Sequence, residues 1–106
     1  MKEEHRFYVN GEWVKSSSNE LIEIENPSSE EIIGTISAGT REDIDAAVAS
    51  AKNAFQSFAF SSKDERVALL EEIIKNYEAS SEDLAACISE EMGAPLWLSQ
   101  VAQVAS

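Results

Sequence analysis

The chain has 106 residues, 43% hydrophobic and 26% charged, with 20 acidic against 8 basic side chains and a formal net charge of −12 at pH 7. That hydrophobic share suits a folded domain and excludes a disordered polar chain, while the excess negative charge repels nucleic-acid backbones and anionic membranes. No apolar run approaches the roughly 20 residues of a spanning helix, the start lacks a signal-peptide core, and the single cysteine rules out an intrachain disulfide framework, so the expected setting is the reducing cytoplasm.

In chain order, the first signal is "RFYVNGEWVK" (6–15), where Asn10-Gly11 lies between two aromatic and β-branched runs. Both central residues of a type I′ turn need positive φ, which this dipeptide tolerates, so the stretch predicts a hairpin. The residues before it, His5 among them, read as a frayed terminus. A polar linker, "SSSN" (16–19), leads to "LIEIENP", whose Ile22 and Ile24 alternate with Glu23 and Glu25. After a turn at "PSSEE" comes a second short strand, "IIGTIS", and with it a second hairpin.

From Thr40 the apolar period becomes helical. "TREDIDAAVASAKNAFQSF" opens with a capping-box pattern, Thr40 with Asp43. "SKDERVALLEEIIKNYEA" repeats the device with Ser62 and Glu65, and "SSEDLAACISEEMG" with Ser80 and Asp83. In each, the first side chain can accept from a free amide of the opening turn and the other can reach back to the cap. Gly93 is placed to end the third helix and Pro95 to open a fourth, "PLWLSQVAQVAS", following the asymmetry of Pro at helix starts and Gly past their ends. The fourth carries no end signal, which suggests a chain that continues. The expected fold class is α+β: two N-terminal β-hairpins in a region 1–39, then four α-helices in a region 40–106.

Site chemistry is sparse. Cys87 shares a helical stripe with Leu84 and Ile88, so its thiol is expected to face the core as a small hydrophobe of raised pKa and low reactivity. Glycines at 11, 34, 39 and 93 form neither a dinucleotide fingerprint nor a P-loop, and His and Cys show no zinc spacing. Most carboxylates fall in first helical turns, where they cap and complement the dipole. Glu91 stands apart, because helical counting returns it to the stripe of Leu84, Cys87 and Ile88. Either the stripe has turned to the surface there and water solvates the carboxylate, or Glu91 binds a cation or caps a backbone amide.

Four stretches taken together, "YVNGEWV", "ENPSSEEIIGTISAGTREDIDAAVASAKNAF", "ERVALLEEI" and "EEMGAPL", resemble the amino-terminal segment of the NAD(P)-dependent aldehyde dehydrogenase superfamily, from about Phe7 to the last residue. Each alone is generic; in register they are specific. The resemblance implies a parent enzyme that oxidises an aldehyde to a carboxylic acid by way of a cysteine thiohemiacetal and hydride transfer to NAD or NADP. It implies hairpins that join an oligomerisation sheet and the sheet of an α/β Rossmann-like cofactor domain. The family's nucleophilic Cys and its Glu lie in segments that this chain does not match, and Cys87 is not that nucleophile. The resemblance also implies a monovalent cation, K+ or Na+, held by the carbonyls of Ile24 and Glu25 and the carboxylate of Glu91.

These readings lead to an amino-terminal fragment of an aldehyde dehydrogenase, inactive alone, which binds neither NAD nor NADP and meets an aldehyde substrate only within the full-length enzyme. The alternative is a stand-alone, non-catalytic helical interaction module derived from that family; an unrelated acidic structural domain is the third possibility. Helical faces with Val67, Leu69, Leu70, Ile73 and Ile74 are wider than one stripe, so self-association is expected, with no nucleic-acid or membrane partner.

Overall fold

A computed structural model describes all residues, Met1–Ser106. The elements are β1 (Lys2–Glu4), β2 (Arg6–Val9), β3 (Glu12–Lys15), β4 (Leu21–Asn26), β5 (Glu31–Ser37), α1 (Arg41–Phe58), α2 (Lys63–Ala79), α3 (Ser81–Met92) and a fourth helical segment from Leu96 to Val104. The α+β class, with small sheets and four helical segments, is the one expected. Strands β1, β5 and β4 form one sheet in that order, and β2 and β3 form a second. By compactness the chain divides into Met1–Ile24 with Gly34–Ser61, and Glu25–Ile33 with Ser62–Ser106; each unit takes residues from both the strand region and the helical region.

In the first unit, β2 and β3 pair antiparallel with Phe7 opposite Val14 and Tyr8 opposite Trp13. Asn10 and Gly11 have φ of 55° and 78°, the left-handed pair that a type I′ turn needs. The terminus is not frayed. Lys2, Glu3 and Glu4 pair in parallel with Gly34, Thr35 and Ile36 of β5, the His5 ring nitrogen Nε2 lies 2.9 Å from Thr35 Oγ1, and the Ser37 hydroxyl donates to the His5 carbonyl at 3.0 Å. Gly34 permits this approach, since a Cβ there would lie 2.6 Å from the Lys2 carbonyl oxygen. The expected box forms at α1: Asp43 N–H donates to Thr40 Oγ1, and the Thr40 amide donates to the Asp43 carboxylate.

In the second unit, Asn26 organises the turn over 27–30. Its Oδ1 accepts from Ser28 N–H at 2.9 Å and its carbonyl from Glu30 N–H at 2.8 Å, an Asx turn of the kind that Asn favours. The box at α2 also forms, between Ser62 and Glu65. The expected box at α3 does not: Ser80 has φ −100° and ψ 7° and makes no side-chain cap bond. One residue is serving two helices, because the Ser80 amide donates to the Asn76 and Tyr77 carbonyls that close α2. That holds its backbone outside the extended conformation in which an N-cap side chain reaches the next turn.

Gly93 ends α3 in the left-handed conformation, with φ 69°, as expected. The fourth segment differs from a regular helix: Leu96–Leu98 is a single α turn capped by Pro95, and Ser99–Val104 is a π-helix. The core is small. Ala85 and Val104 are the buried apolar residues, with Ser99 and Ser37 as buried polar ones. Leu84, Cys87 and Ile88 are half-buried, and Glu91 is exposed, so the buried line of α3 runs through Ala85 and the stripe has turned to the surface by Glu91. No helix is long and apolar enough to cross a membrane.

Candidate functional site

The second unit gathers most of the polar contacts around the end of α3. Ser89, one turn after Ala85, donates its hydroxyl to the Ala94 carbonyl at 2.6 Å, which ties the chain back onto α3 just past the Gly93 bend. Gly93 presses against the turn that follows β4: a Cβ on it would lie 3.1 Å from Pro27 Cγ and 3.2 Å from the Ser28 nitrogen. Any larger residue there would have to push that turn away. Glu91 stands two residues before Gly93, and Glu25 two residues before Pro27. Ile24 is half-buried in β4 and belongs to the first unit. No group of three or more His, Cys, Asp or Glu side chains converges on a metal-sized site.

The π-helix adds a second cluster, one that sequence reading missed. The Ser99 hydroxyl, fully buried, donates to Gln103 Oε1 at 2.8 Å, and Gln103 Nε2 approaches Met92 Sδ at 3.9 Å. Tyr77 of α2 donates its hydroxyl to the Val104 carbonyl at 2.9 Å. Val104 is the last residue of the π-helix, where carbonyls have no following turn to bond them, and Tyr77 supplies a partner. Chemically the cluster is a brace. The Ser99 proton is committed to Gln103, and Cys87, half-buried on α3, lies among packing residues.

The first unit holds the strongest electrostatic feature, on a residue nominated only as a cap. The Asp43 carboxylate accepts from the Ser16 hydroxyl at 2.7 Å and the Ser17 amide at 3.0 Å, besides Thr40. These bonds, that from Ser16 first, hold its pKa down at about 2. The "SSSN" stretch, read as a linker, is thus fastened to the start of α1; the signal was a run of small hydroxyl side chains upstream of an acidic N3 residue. An open cavity of about 300 Å³ in the same unit is lined by His5, Lys15, Ser16, Ser18 and Ser37 among others. Two of its hydroxyls are already engaged, Ser16 on Asp43 and Ser37 on the His5 carbonyl.

Comparison with known proteins places this geometry. The profile of the aldehyde dehydrogenase family matches residues 13–106. A protein assigned as an aldehyde dehydrogenase in Staphylococcus aureus strain bovine RF122 is 47% identical over 100 residues, which cover 94% of this chain and 21% of that protein. The crystal structure of an aldehyde dehydrogenase from Bartonella henselae superposes with a TM-score of 0.97 at 40% identity, over 99% of this chain and 22% of the other. Aldehyde dehydrogenase C of Pseudomonas syringae, solved as a mutant with NAD+ and octanal, gives 0.93 at 33% identity, over 95% and 21%. The chain therefore spans about a fifth of the length of the relatives it matches.

Proposed function

The chain belongs to the aldehyde dehydrogenase family and corresponds to its amino-terminal segment, and from that premise we propose that it serves as a structural portion of an NAD(P)-dependent oxidation of an aldehyde to a carboxylic acid, with no catalytic group of its own. The observation that carries this is the superposition at a TM-score of 0.97 over 99% of the chain and only 22% of the relative. In support, Gly34 and Gly93 approach the protein's own backbone, at Lys2 and Ser28, and Gly11 sits at a hairpin tip with nothing around its Cβ position, so their roles are in packing and turning. The thiol of Cys87, half-buried beside Ala85 and Ile88, suits packing in a reducing, cytoplasmic compartment rather than attack on a carbonyl.

Calorimetric titration of the 106-residue chain with NAD+ and with NADP+ is expected to show no saturable binding. Incubation with either dinucleotide and a panel of aldehydes is expected to give no NADH or NADPH. Saturable micromolar binding, or turnover abolished by Cys87→Ser, would overturn the reading.

The cation set belongs to the same proposal. Where the cation binds, the Glu25 carbonyl and Glu91 carboxylate of the second unit would hold it, the tight packing of Gly93 on Pro27 and Ser28 keeping the two stretches together. A hard carbonyl and carboxylate set suits K+ or Na+. With Glu91 exposed, water fills the rest of the shell and the affinity is weak. Melting in KCl or NaCl against choline chloride at equal ionic strength is expected to show a small stabilisation that Glu91→Gln removes; identical melts would remove the cation from the proposal.

A further inference from the structure

The tip of the β2–β3 hairpin carries a reactive pair that the proposed function does not use. The chain has five asparagines, at 10, 19, 26, 53 and 76. Such a side chain loses ammonia where the amide nitrogen of the next residue is free to attack its carboxamide carbon. Asn26 precedes Pro27, which has no N–H. Asn53 and Asn76 lie inside α1 and α2, whose ladders engage the amides of Ala54 and Tyr77. The Glu20 amide, next after Asn19, donates to the Ser18 hydroxyl at 3.0 Å. Asn10 differs from all four. It is exposed, Gly11 follows it with no side chain to screen the nitrogen, and no group of the chain accepts from the Gly11 amide.

Conformation matters as much as access. A flat five-membered imide holds the Gly11 nitrogen eclipsed with Asn10 Cβ. With φ already at 55°, the ψ that this requires, about −120°, makes Asn10 the first central residue of a type II′ turn. Flipping the single peptide between Asn10 and Gly11 converts the type I′ tip into that turn. Gly11 then moves from φ 78° to about −80°, a change open to a residue without a Cβ. Both turn types close two-residue hairpins, so β2 and β3 stay paired. There is room for the flip: nothing lies within 4 Å of where a Gly11 Cβ would stand, and an open cavity of about 420 Å³ lies between the tip and Ala47, Ser50, Ala51 and Ala54 of α1. We propose that Asn10-Gly11 is a self-modification site whose only co-reactant is water. The Gly11 nitrogen gives up its proton and bonds to the Asn10 side-chain carbonyl carbon, the side-chain nitrogen leaves as ammonia, and a succinimide results. Water then opens the ring at either carbonyl, giving aspartate or isoaspartate. Either product adds a negative charge. Isoaspartate also puts the side-chain methylene into the backbone of a loop whose length sets the strand register, next to the Tyr8–Trp13 ring pair at 5.2 Å.

The test ages the purified 106-residue chain at neutral and at mildly alkaline pH and follows it by tryptic mass spectrometry. Cleavage after Arg6 and Lys15 releases Phe7–Lys15, in which Asn10 is the only asparagine. That peptide is expected to pass through an ammonia-loss form into two deamidated forms of equal mass, faster at the higher pH because the attacking nitrogen must lose its proton. Asn19, Asn53 and Asn76 are expected to react at least about tenfold more slowly, since the amides that follow them must first be released by local opening. The synthetic peptide Phe7–Lys15, a lone hairpin too weak to hold its fold, gives the unconstrained rate, and Asn10 in the chain is expected to stay within about tenfold of it. Gly11→Ala, whose Cβ crowds the nitrogen and resists positive φ, is expected to slow Asn10 about tenfold or more; the wild-type rates stand as the test whether or not that variant keeps its hairpin. An Asn10 that reacts no faster than the other three, a chain slowed beyond tenfold against the free peptide, or a Gly11→Ala rate that is unchanged overturns the proposal.

Discussion

Helices α2 and α3 follow each other with one residue, Ser80, between them, yet they meet opposite fates. The shorter helix, α3, supplies the fully buried Ala85 and lies against the π-helical segment, whose Ser99 and Val104 are the unit's other buried residues. The longer α2, which carries the larger aliphatic side chains, buries nothing. Capping does not explain the difference, for α2 has the complete box and α3 has no side-chain cap bond. What separates them is the presence of a neighbour. A cap is worth about 1 kcal/mol and comes from within a few residues, whereas burial of one large side chain is worth about 2 kcal/mol and must come from another element. For α3 that element lies a few residues downstream; α2 has no comparable cover within the unit.

The comparison is most easily broken at Ala85 and Leu70. Ala85→Leu puts three more carbons into a fully buried position and is expected to destabilise the second unit by about 1–3 kcal/mol. Leu70→Ala, at a position 58% exposed, is expected to cost under about 1 kcal/mol in the isolated chain, since little burial is lost and alanine is the better helix former. Urea unfolding followed by circular dichroism reads both. Equal losses would mean that α2 is already covered. Tyr77→Phe sharpens the point, because Tyr77 is the residue of α2 that reaches the fourth segment, through its bond to the Val104 carbonyl. Its loss is expected to cost about 1 kcal/mol, and more hydrogen exchange is expected over 99–104 than over 67–74.

Local chemistry was what the sequence displayed. Asn10-Gly11, Thr40 with Asp43, Ser62 with Glu65, and Gly93 each announce their conformation within a few residues, and the structure has all four. The failures are partners distant along the chain or residues asked to do two things. Strand β1 has the unpatterned sequence Lys-Glu-Glu and is held by pairing with Gly34, Thr35 and Ile36. Ser80 closes one helix as it opens another. Helical counting put Glu91 on the line of Leu84 and Cys87, but that line is only half-buried, and the choice of Ala85 for burial depends on the π-helix, which has no local signature. The family, by contrast, was legible from four short stretches in register.

A feature that the chain completes for itself should respond to acid without any partner, and Asp43 is the clearest. Its folded pKa, about 2, lies below the ordinary 3.8, chiefly through the Ser16 hydroxyl and then the Ser17 amide. A depressed carboxylate pKa contributes stability that is present in full above 3.8 and is lost as pH falls towards 2. The melting temperature of the wild type minus that of Asp43→Asn is therefore expected to shrink steadily from pH 4 down to pH 2, the other carboxylates cancelling in the difference. A constant gap would mean that the Ser16 and Ser17 contacts do not form in solution.

The smallest effect belongs to the turn over 27–30, which also needs no outside cover. Glu30 has φ 60°, a left-handed conformation that costs a residue with a Cβ about 1 kcal/mol. It is held there by its amide bond to the Asn26 carbonyl at 2.8 Å. Glu30→Gly removes that strain but enlarges the freedom of the unfolded chain, which takes back about 0.5–1 kcal/mol. The expected net is a stabilisation of a few tenths of a kcal/mol, and one fewer negative charge acts in the same direction in a chain at −12. Glu30→Gln keeps the Cβ and removes the charge, so it isolates the electrostatic share. If Gly and Gln variants melt alike, the gain is charge alone and the turn is not strained; if Gly exceeds Gln, the turn forms as described, and its Pro27 and Ser28 are set where Gly93 packs, with or without a cover on α2.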